Sequence, residues 1–338
     1  MDPITHGLLG ATFAGALRLK GISQHGAMLV GALAGVSPDL DVLIRSAEYP
    51  LLSLKFHRHF THAIPFSPLW GLFVVGVFWW VLKWRKREVA FAPLYILSVI
   101  AIIAHGALDA MTNYGTHLYW PLSYERVSWN IISIIDPIFT LTLLAAALMA
   151  SLWQCRRTLY MAIAFACCYW GLGIHQREAS AVVMQVIAKA RGHKMLHAET
   201  KPSFGNLWAW RMQYIADNRI HIDAAHISPW AGVRVYEGGS VPYVSSHNKM
   251  FANLSPLQTQ DLQDFEFFSD SYLTPLPEDK NRIADARFGT LPNSLEPMWA
   301  IELYPNEPNR HAGFVNTRRP VIDRDWKNFW KMAKGEAL

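Results

Sequence analysis

The stretch from Phe66 to Leu82 carries no charged residue, and Trp79, Trp80 and Trp84 sit at one end of it with Lys83, Arg85, Lys86 and Arg87 alongside. Such a run is at home in the hydrocarbon core of a bilayer, with its tryptophans at the interface. Phe91 to about Ala107, Ile131 to Trp153 and Leu159 to Gly173 are further long apolar runs, the second with one acid, Asp136, near its start. Inside lipid the backbone must satisfy its own polar groups, so these runs are expected to be helices. Ile4–Leu17 and Gly26–Val36 are shorter and rich in Gly and Ala. Small residues let helix backbones approach closely, so this pair reads as tightly packed helices, either short spans or re-entrant.

The character of the chain changes near Gln176, after which charges, prolines and turn residues are spread throughout. With 338 residues there is room for two domains. The expected fold is therefore mainly α: a polytopic helical membrane domain over residues 1–175, then a smaller α+β extramembrane domain over residues 176–338. Within the latter, Arg219–Asp223, Val233–Tyr236, Phe265–Asp270 and Met298–Leu303 read as strands, and Glu237-Gly238-Gly239 as a turn. A polar helix is expected from Arg177 to about Arg191. Trp326, Phe329 and Trp330 suggest an amphipathic helix docking on the domain or the membrane.

The net charge of +5 is small and its basic residues are scattered, which excludes a nucleic-acid footprint. Cys155, Cys167 and Cys168 all lie in or beside apolar runs. That excludes a disulfide-stapled exported domain and a cysteine-rich zinc site. The N-terminus lacks the basic region of a cleavable signal and is expected to be retained.

Basic residues cluster at Arg18/Lys20, Lys83 to Arg87 and Arg156/Arg157. Placing all three in the cytoplasm gives an alternation without conflict. The Asp39/Asp41 loop, the His57–His62 stretch, the His105/Asp109 end and everything after His175 then fall on the non-cytoplasmic side. His25 falls on the other side and is given no role.

Four segments on that outer side supply metal-ligand chemistry. His6 follows Asp2 at helical i, i+4 spacing, with Asp2 also suited to cap the first helix. Asp39 and Asp41 flank Leu40 after Pro38; in an extended chain their carboxylates point to opposite sides, serving two metals or one metal and a supporting histidine. His57-Arg58-His59-Phe60-Thr61-His62 packs three histidines and an arginine into six residues. On a helix His59 and His62 would share a face. His105 and Asp109 stand i, i+4 at the end of an apolar run, where they can also be read as a buried polar pair holding helices together. The expected metal ligands are His6, Asp39, Asp41, His57, His62, His105 and Asp109, with His59 a neighbour and Asp136 a cap before Pro137. Tyr114 and His117 are placed near the site or at the interface. His221, Asp223 and His226 form a further group, read as a satisfied strand pair.

Mixed imidazole and carboxylate ligation suits a divalent ion, zinc first, with manganese or iron next, and this many donors allow two or more ions. Adjacent metals suit phosphoester hydrolysis. Asp41 or Asp109 would then act as general base or ligand orienter, and Arg58 as a fork donor to a phosphate oxygen.

The segments Asp2-Pro3-Ile4-Thr5-His6-Gly7, Pro38-Asp39-Leu40-Asp41, His57-Arg58 with Thr61-His62, and His105-Gly106-Ala107-Leu108-Asp109 on to Tyr114-Gly115 resemble the YdjM-like family of inner-membrane proteins. That family is described as membrane-bound metal-dependent hydrolases. The resemblance covers about the first 170 residues and favours His57 and His62 over His59. It implies a helical membrane domain, a hydrolase, and a remote likeness to the helical zinc phospholipase C fold. The expected function is hydrolysis of an ester or phosphoester at the outer face of the inner membrane. Membrane lipids are the expected partners and a lipid head group the favoured substrate. Two other readings stand beside it: a structural metal with a C-terminal domain that binds an envelope partner, and ion transport.

Overall fold

The computed structural model describes residues 1–85 and 90–338; Lys86 and Arg87 of the second basic cluster lie outside the described residues. The chain forms two compact units. One comprises Met1–Leu43, Phe56–Ile174 and Phe204–Asn206; the other comprises Ile44–Lys55, His175–Ser203 and Leu207–Leu338.

The first unit is helical. Helix α1 (Pro3–Ala16) starts where Asp2 accepts the Thr5 N–H at 3.0 Å and Pro3 takes the first helical position. Helix α2 (Gln24–Val36) is capped by Ser23. The two cross with backbones in contact: a Cβ on Gly10 would fall 2.2 Å from the Gly31 carbonyl, and one on Gly31 would fall 2.3 Å from the Gly10 carbonyl. A 3-10 turn over Ser37–Leu43 prolongs α2, so Gln24–Leu43 is long and apolar enough to cross a membrane, beyond the short stretch read from sequence.

The short helix α3 (Leu52–Phe56) precedes 3-10 turns at Phe60–His62 and Ile64–Phe66. Helices α4 (Ser67–Trp84) and α5 (Phe91–Met111) follow. Helix α6 (Pro137–Trp153) begins later than the expected Ile131, because Asp136 caps it and Pro137 disfavours helix in the residue before it. Residues 129–132 instead donate N–H groups to the carbonyls of Ala110, Met111 and Thr112, satisfying the open end of α5. Helix α7 (Arg156–Ala190) runs unbroken through what sequence divided into an apolar run and a polar helix, since no proline interrupts it. Gln24–Leu43, Ile64–Trp84, Phe91–Met111 and Arg156–Ala190 are long and apolar enough to cross a membrane, and α6 is a shorter apolar helix.

The two ends of this unit differ in chemistry. At one end Arg156 donates to the carbonyls of Gly15 and Leu17, and His25 bonds Ser151. At the other, Thr5 meets Thr140 at 2.5 Å, near His6 and the ends of α2 and α5.

The second unit holds two antiparallel four-stranded sheets. The first is β1 (His197–Pro202), β2 (Ala209–Ala216), β3 (Arg219–Ser228) and β4 (Gly232–Pro242), paired in chain order. Met184 and Ala188 from the polar half of α7 pack on Met212, Tyr214 and Ala225 of this sheet. After α8 (Pro256–Phe268) come β5 (Leu273–Leu276), β6 (Asp279–Asp285), β7 (Trp299–Glu302) and β8 (Gly313–Asn316), again in order. The terminal helix α9 (Asp323–Lys334) buries Phe329 and Met332 and leaves Trp326 and Trp330 half-exposed.

Two sequence expectations fail here. Phe265–Phe268 ends a helix, not a strand: Gln258, Asp261, Leu262, Phe265 and Phe268 are buried at helical spacing, and Ser255 with Pro256 starts the helix. Glu237-Gly238-Gly239 continues β4 across a register shift at Ile222/Asp223. Gly238 is there for close approach, since a Cβ would fall 2.4 Å from the Ile222 carbonyl. The β3–β4 reversal lies earlier and ends at Gly232, whose φ is 72°.

Candidate metal centre

Four side chains converge in the helical unit: Asp39, His62, His105 and Asp109 each present a donor atom within 4.8 Å of the others. His62 Nε2 lies 3.6 Å from Asp39 Oδ1 and 3.3 Å from Asp109 Oδ2. His105 Nε2 lies 3.7 Å and 3.6 Å from the same two oxygens. His62, His105 and Asp109 side chains are fully buried, and Asp39 is 19% exposed.

The local structure explains the convergence. The 3-10 turn at the end of α2 carries Asp39, and a second 3-10 turn carries His62. His105 and Asp109 share one face of the last turns of α5. Gly106 lets the His62 turn lie directly on α5; a Cβ there would come 2.2 Å from the His62 carbonyl oxygen.

Each histidine is held at one nitrogen and open at the other. His105 Nδ1–H donates to the Gly35 carbonyl at 2.6 Å. His62 Nδ1 lies 2.9 Å from Thr61 Oγ1 and 3.3 Å from Asp41 Oδ2. Their Nε2 atoms are buried and have no hydrogen-bond partner among the described residues, as do Asp39 Oδ2 and Asp109 Oδ2. Buried polar atoms are normally satisfied, so open His62 Nε2 and His105 Nε2 atoms within 3.6 Å of Asp109 Oδ2, with Asp39 Oδ1 beside them, fit a cation. Fixing one ring nitrogen so that the other points at the ion is also how metal-bound histidines are oriented. Burial opposes a charged His62, but the neighbouring carboxylates of Asp109, Asp39 and Asp41 outweigh it and raise the His62 pKa above its ordinary value. The donors present, two imidazoles and two carboxylates, suit zinc, manganese or iron.

The other residues singled out from sequence surround this group. His6 Nε2 donates to Asp109 Oδ1 at 3.0 Å, and its ring stacks on His105 at 3.5 Å. Asp41 accepts from His57 Nδ1 at 2.9 Å, the Arg58 backbone N–H at 2.8 Å and Thr61 Oγ1 at 3.3 Å. His6, Asp41 and His57 thus lie beside the four converging donors, with His6 and Asp41 bracing them. Arg58 Nε lies 3.1 Å from Asp109 Oδ2, and its Nη1 donates to Thr112 Oγ1 at 2.9 Å. Its guanidinium sits 4.9 Å from the Tyr114 ring.

The stretch from His57 to His62 is a turn followed by a 3-10 element, not the α-helix pictured from sequence. Arg58 has φ 61°, which breaks any helical register. His59 accordingly leaves the cluster and packs against His117 at 4.6 Å. Asp39-Leu40-Asp41 is likewise helical rather than extended, and its two carboxylates part because Asp41 is drawn to the Arg58 N–H. Asp2 caps α1, and Asp136 caps α6 while accepting from Tyr169. Sequence reading included Thr61 in a motif without a role and missed Thr112 and the Gly35 carbonyl. It also missed the Met1 amino group, which donates to Asp109 Oδ1. In the second unit, Asp223 pairs with Arg191, His221 stacks on Tyr214 and the His226 ring lies beside Gly335 at the end of α9, so each of the three has a different neighbour.

No solved structure matches the chain. A protein of Bacillus subtilis (strain 168), named only as uncharacterized protein YfhP, is 25% identical over 205 residues, covering 59% of each chain. The chain therefore spans about six tenths of the length of this relative. The family model described as YdjM inner membrane protein matches residues 1–180, which includes all four converging donors and every residue that braces them. The chain belongs to the YdjM inner membrane protein family.

Proposed function

We propose that this protein is a membrane-bound metal-dependent hydrolase acting on an ester or phosphoester, with lipid head groups as the favoured substrate. The observation that carries the reading is the convergence of donor atoms from Asp39, His62, His105 and Asp109, among which His62 Nε2 and His105 Nε2 are buried and open. A divalent ion held there supplies Lewis acidity toward an ester oxygen and makes water a usable nucleophile near neutral pH.

The chain's own residues divide the remaining work. His6 and Asp41 hold Asp109 and His62 in orientation. Asp41 with His57, whose side chain is 31% exposed, forms a carboxylate–imidazole pair suited to moving a proton at the open side of the site. His57 remains available as a ligand to a second ion. Arg58 places a positive charge beside Asp109, where an anionic ester would be drawn in. The group lies at the ends of Gln24–Leu43 and Phe91–Met111, which is head-group depth if these cross the inner membrane. Arg18, Lys20, Lys83, Arg85, Arg156 and Arg157 favour the cytoplasm for the opposite ends. The site and the C-terminal domain are then on the non-cytoplasmic side.

The test is hydrolysis of phospholipids and simple phosphodiesters by the purified full-length protein loaded with zinc or manganese. Activity should vanish on chelation, return with metal and be absent in Asp109→Asn. A metal-loaded protein inert toward every ester would favour a structural metal instead.

A further inference from the structure

The segment that joins the two ligand-bearing turns does not belong to the helical unit. Ile44–Lys55 lies between Asp41 and His57 in sequence, yet it forms part of the same compact unit as the C-terminal domain. Its anchors are specific. Tyr49 donates its hydroxyl to Asp264 Oδ2 at 3.0 Å, and Lys55 Nζ reaches the same oxygen at 3.2 Å. The Tyr49 ring stacks on His311 at 4.3 Å. His311 is fixed in turn, with Nδ1 3.0 Å from Asp261, which also accepts the Ala312 N–H at 2.8 Å. Gln260 donates to Asp264 Oδ1 at 2.9 Å, so the carboxylate at the centre is held from both sides. Leu51 is 2% exposed.

We infer that the C-terminal domain is a positioning device for the metal centre, acting through this clamped segment. Both ends of the segment are covalently continuous with ligand turns: Leu43 closes the turn that carries Asp39 and Asp41, and Phe56 leads into His57, Arg58 and His62. Asp41 ties the two turns to each other, and a free connection between them would add its ordering entropy to the cost of forming those contacts and of metal binding. Held on α8 by Tyr49 and Lys55, it constrains the end of the first turn and the approach to the second. Tyr49, Asp264 and His311 are thus positioning residues that touch neither the metal nor the substrate. The same connection makes the C-terminal domain a point of control, because anything that loosens α8 or the loop holding His311 loosens the ligand turns.

The inference rests on reading the cluster as a metal site, but its primary test does not. Amide hydrogen exchange is followed by mass spectrometry on the full-length protein in detergent, for wild type, Asp264→Ala and Tyr49→Phe. Asp264→Ala removes the acceptor shared by Tyr49 and Lys55; Tyr49→Phe removes one hydroxyl and keeps the ring, so it reports even if the first variant folds poorly. Exchange in peptides spanning residues 37–43 and 56–62 should rise, and Asp264→Glu should restore protection. Arg319→Ala, which breaks the Arg319–Asp325 pair elsewhere in the domain, should leave those peptides unchanged. Release of bound zinc to a chelator should also quicken by roughly two- to thirtyfold in Asp264→Ala, the range of coupling along such networks. Unchanged exchange in both ligand turns overturns the inference. Wild-type protein without zinc would overturn the metal reading alone, since the exchange result stands without metal.

Discussion

Gly106→Ala separates the requirement for backbone approach from every other property of α5. By helix propensity alone the substitution favours the helix by roughly 1 kcal/mol. The new Cβ, however, would stand 2.2 Å from the His62 carbonyl oxygen and 3.2 Å from its carbon. Restoring an ordinary carbon–oxygen contact of about 3.3 Å moves the His62 turn away from α5 by about 1 Å. His62 Nε2 would then retreat from His105 and Asp109, whereas metal–ligand distances tolerate only about 0.2 Å. Zinc affinity should fall by at least the ten- to hundredfold seen when a ligand's supporting contacts are lost. The assay is competition with a chelator of known affinity in detergent. Gly76→Ala is the matched control, since a Cβ there meets nothing within 4 Å. Equal affinity in Gly106→Ala and wild type would refute the claim that the His62 turn must lie on α5 to build the site.

Other consequences follow from particular contacts. Asp285→Ala should destabilise the second unit by about 3–5 kcal/mol in thermal or denaturant unfolding, because Arg287 would be left charged and buried without its partner. Asp136→Ala should cost about 1–2 kcal/mol by removing the α6 cap, with the Tyr169 hydroxyl losing its acceptor as well. The hydrogen bond to Asp270 raises the His197 pKa, so the pair stabilises the fold fully below the unfolded histidine value of about 6.5. That contribution is lost as pH rises through the folded pKa. It is small at this exposed pair and should be absent from the pH profile of unfolding in His197→Asn.

The membrane character of the first half was legible because uninterrupted apolar runs have few alternatives, and the runs of α4 and α5 were placed closely. The donor-bearing segments were legible too, since Asp39, His62, His105 and Asp109 all lie in the short histidine and aspartate motifs. What sequence could not give was the division of labour among them. Whether Asp41 or Asp39 points at the cluster depends on a 3-10 turn and on the Arg58 N–H that captures Asp41. His62 and His59 were placed on one face by helical spacing, but the φ of Arg58 breaks that geometry. Long-range partners such as the Gly35 carbonyl leave no trace in residue type at all. In the C-terminal domain, the aromatic run Phe265-Glu266-Phe267-Phe268 imitated a strand. The burial spacing of the preceding turns, beginning at the Ser255 cap, decides for helix.

The central claim is that Asp39, His62, His105 and Asp109 hold a divalent ion. Elemental mass spectrometry of the detergent-purified full-length protein, beside His62→Ala and Asp109→Ala, tests it most directly. The account predicts at least one equivalent of zinc, manganese or iron in wild type, lost in both variants while they still insert into membranes. Wild type without metal after incubation with these ions, or variants that retain as much as wild type, would contradict it.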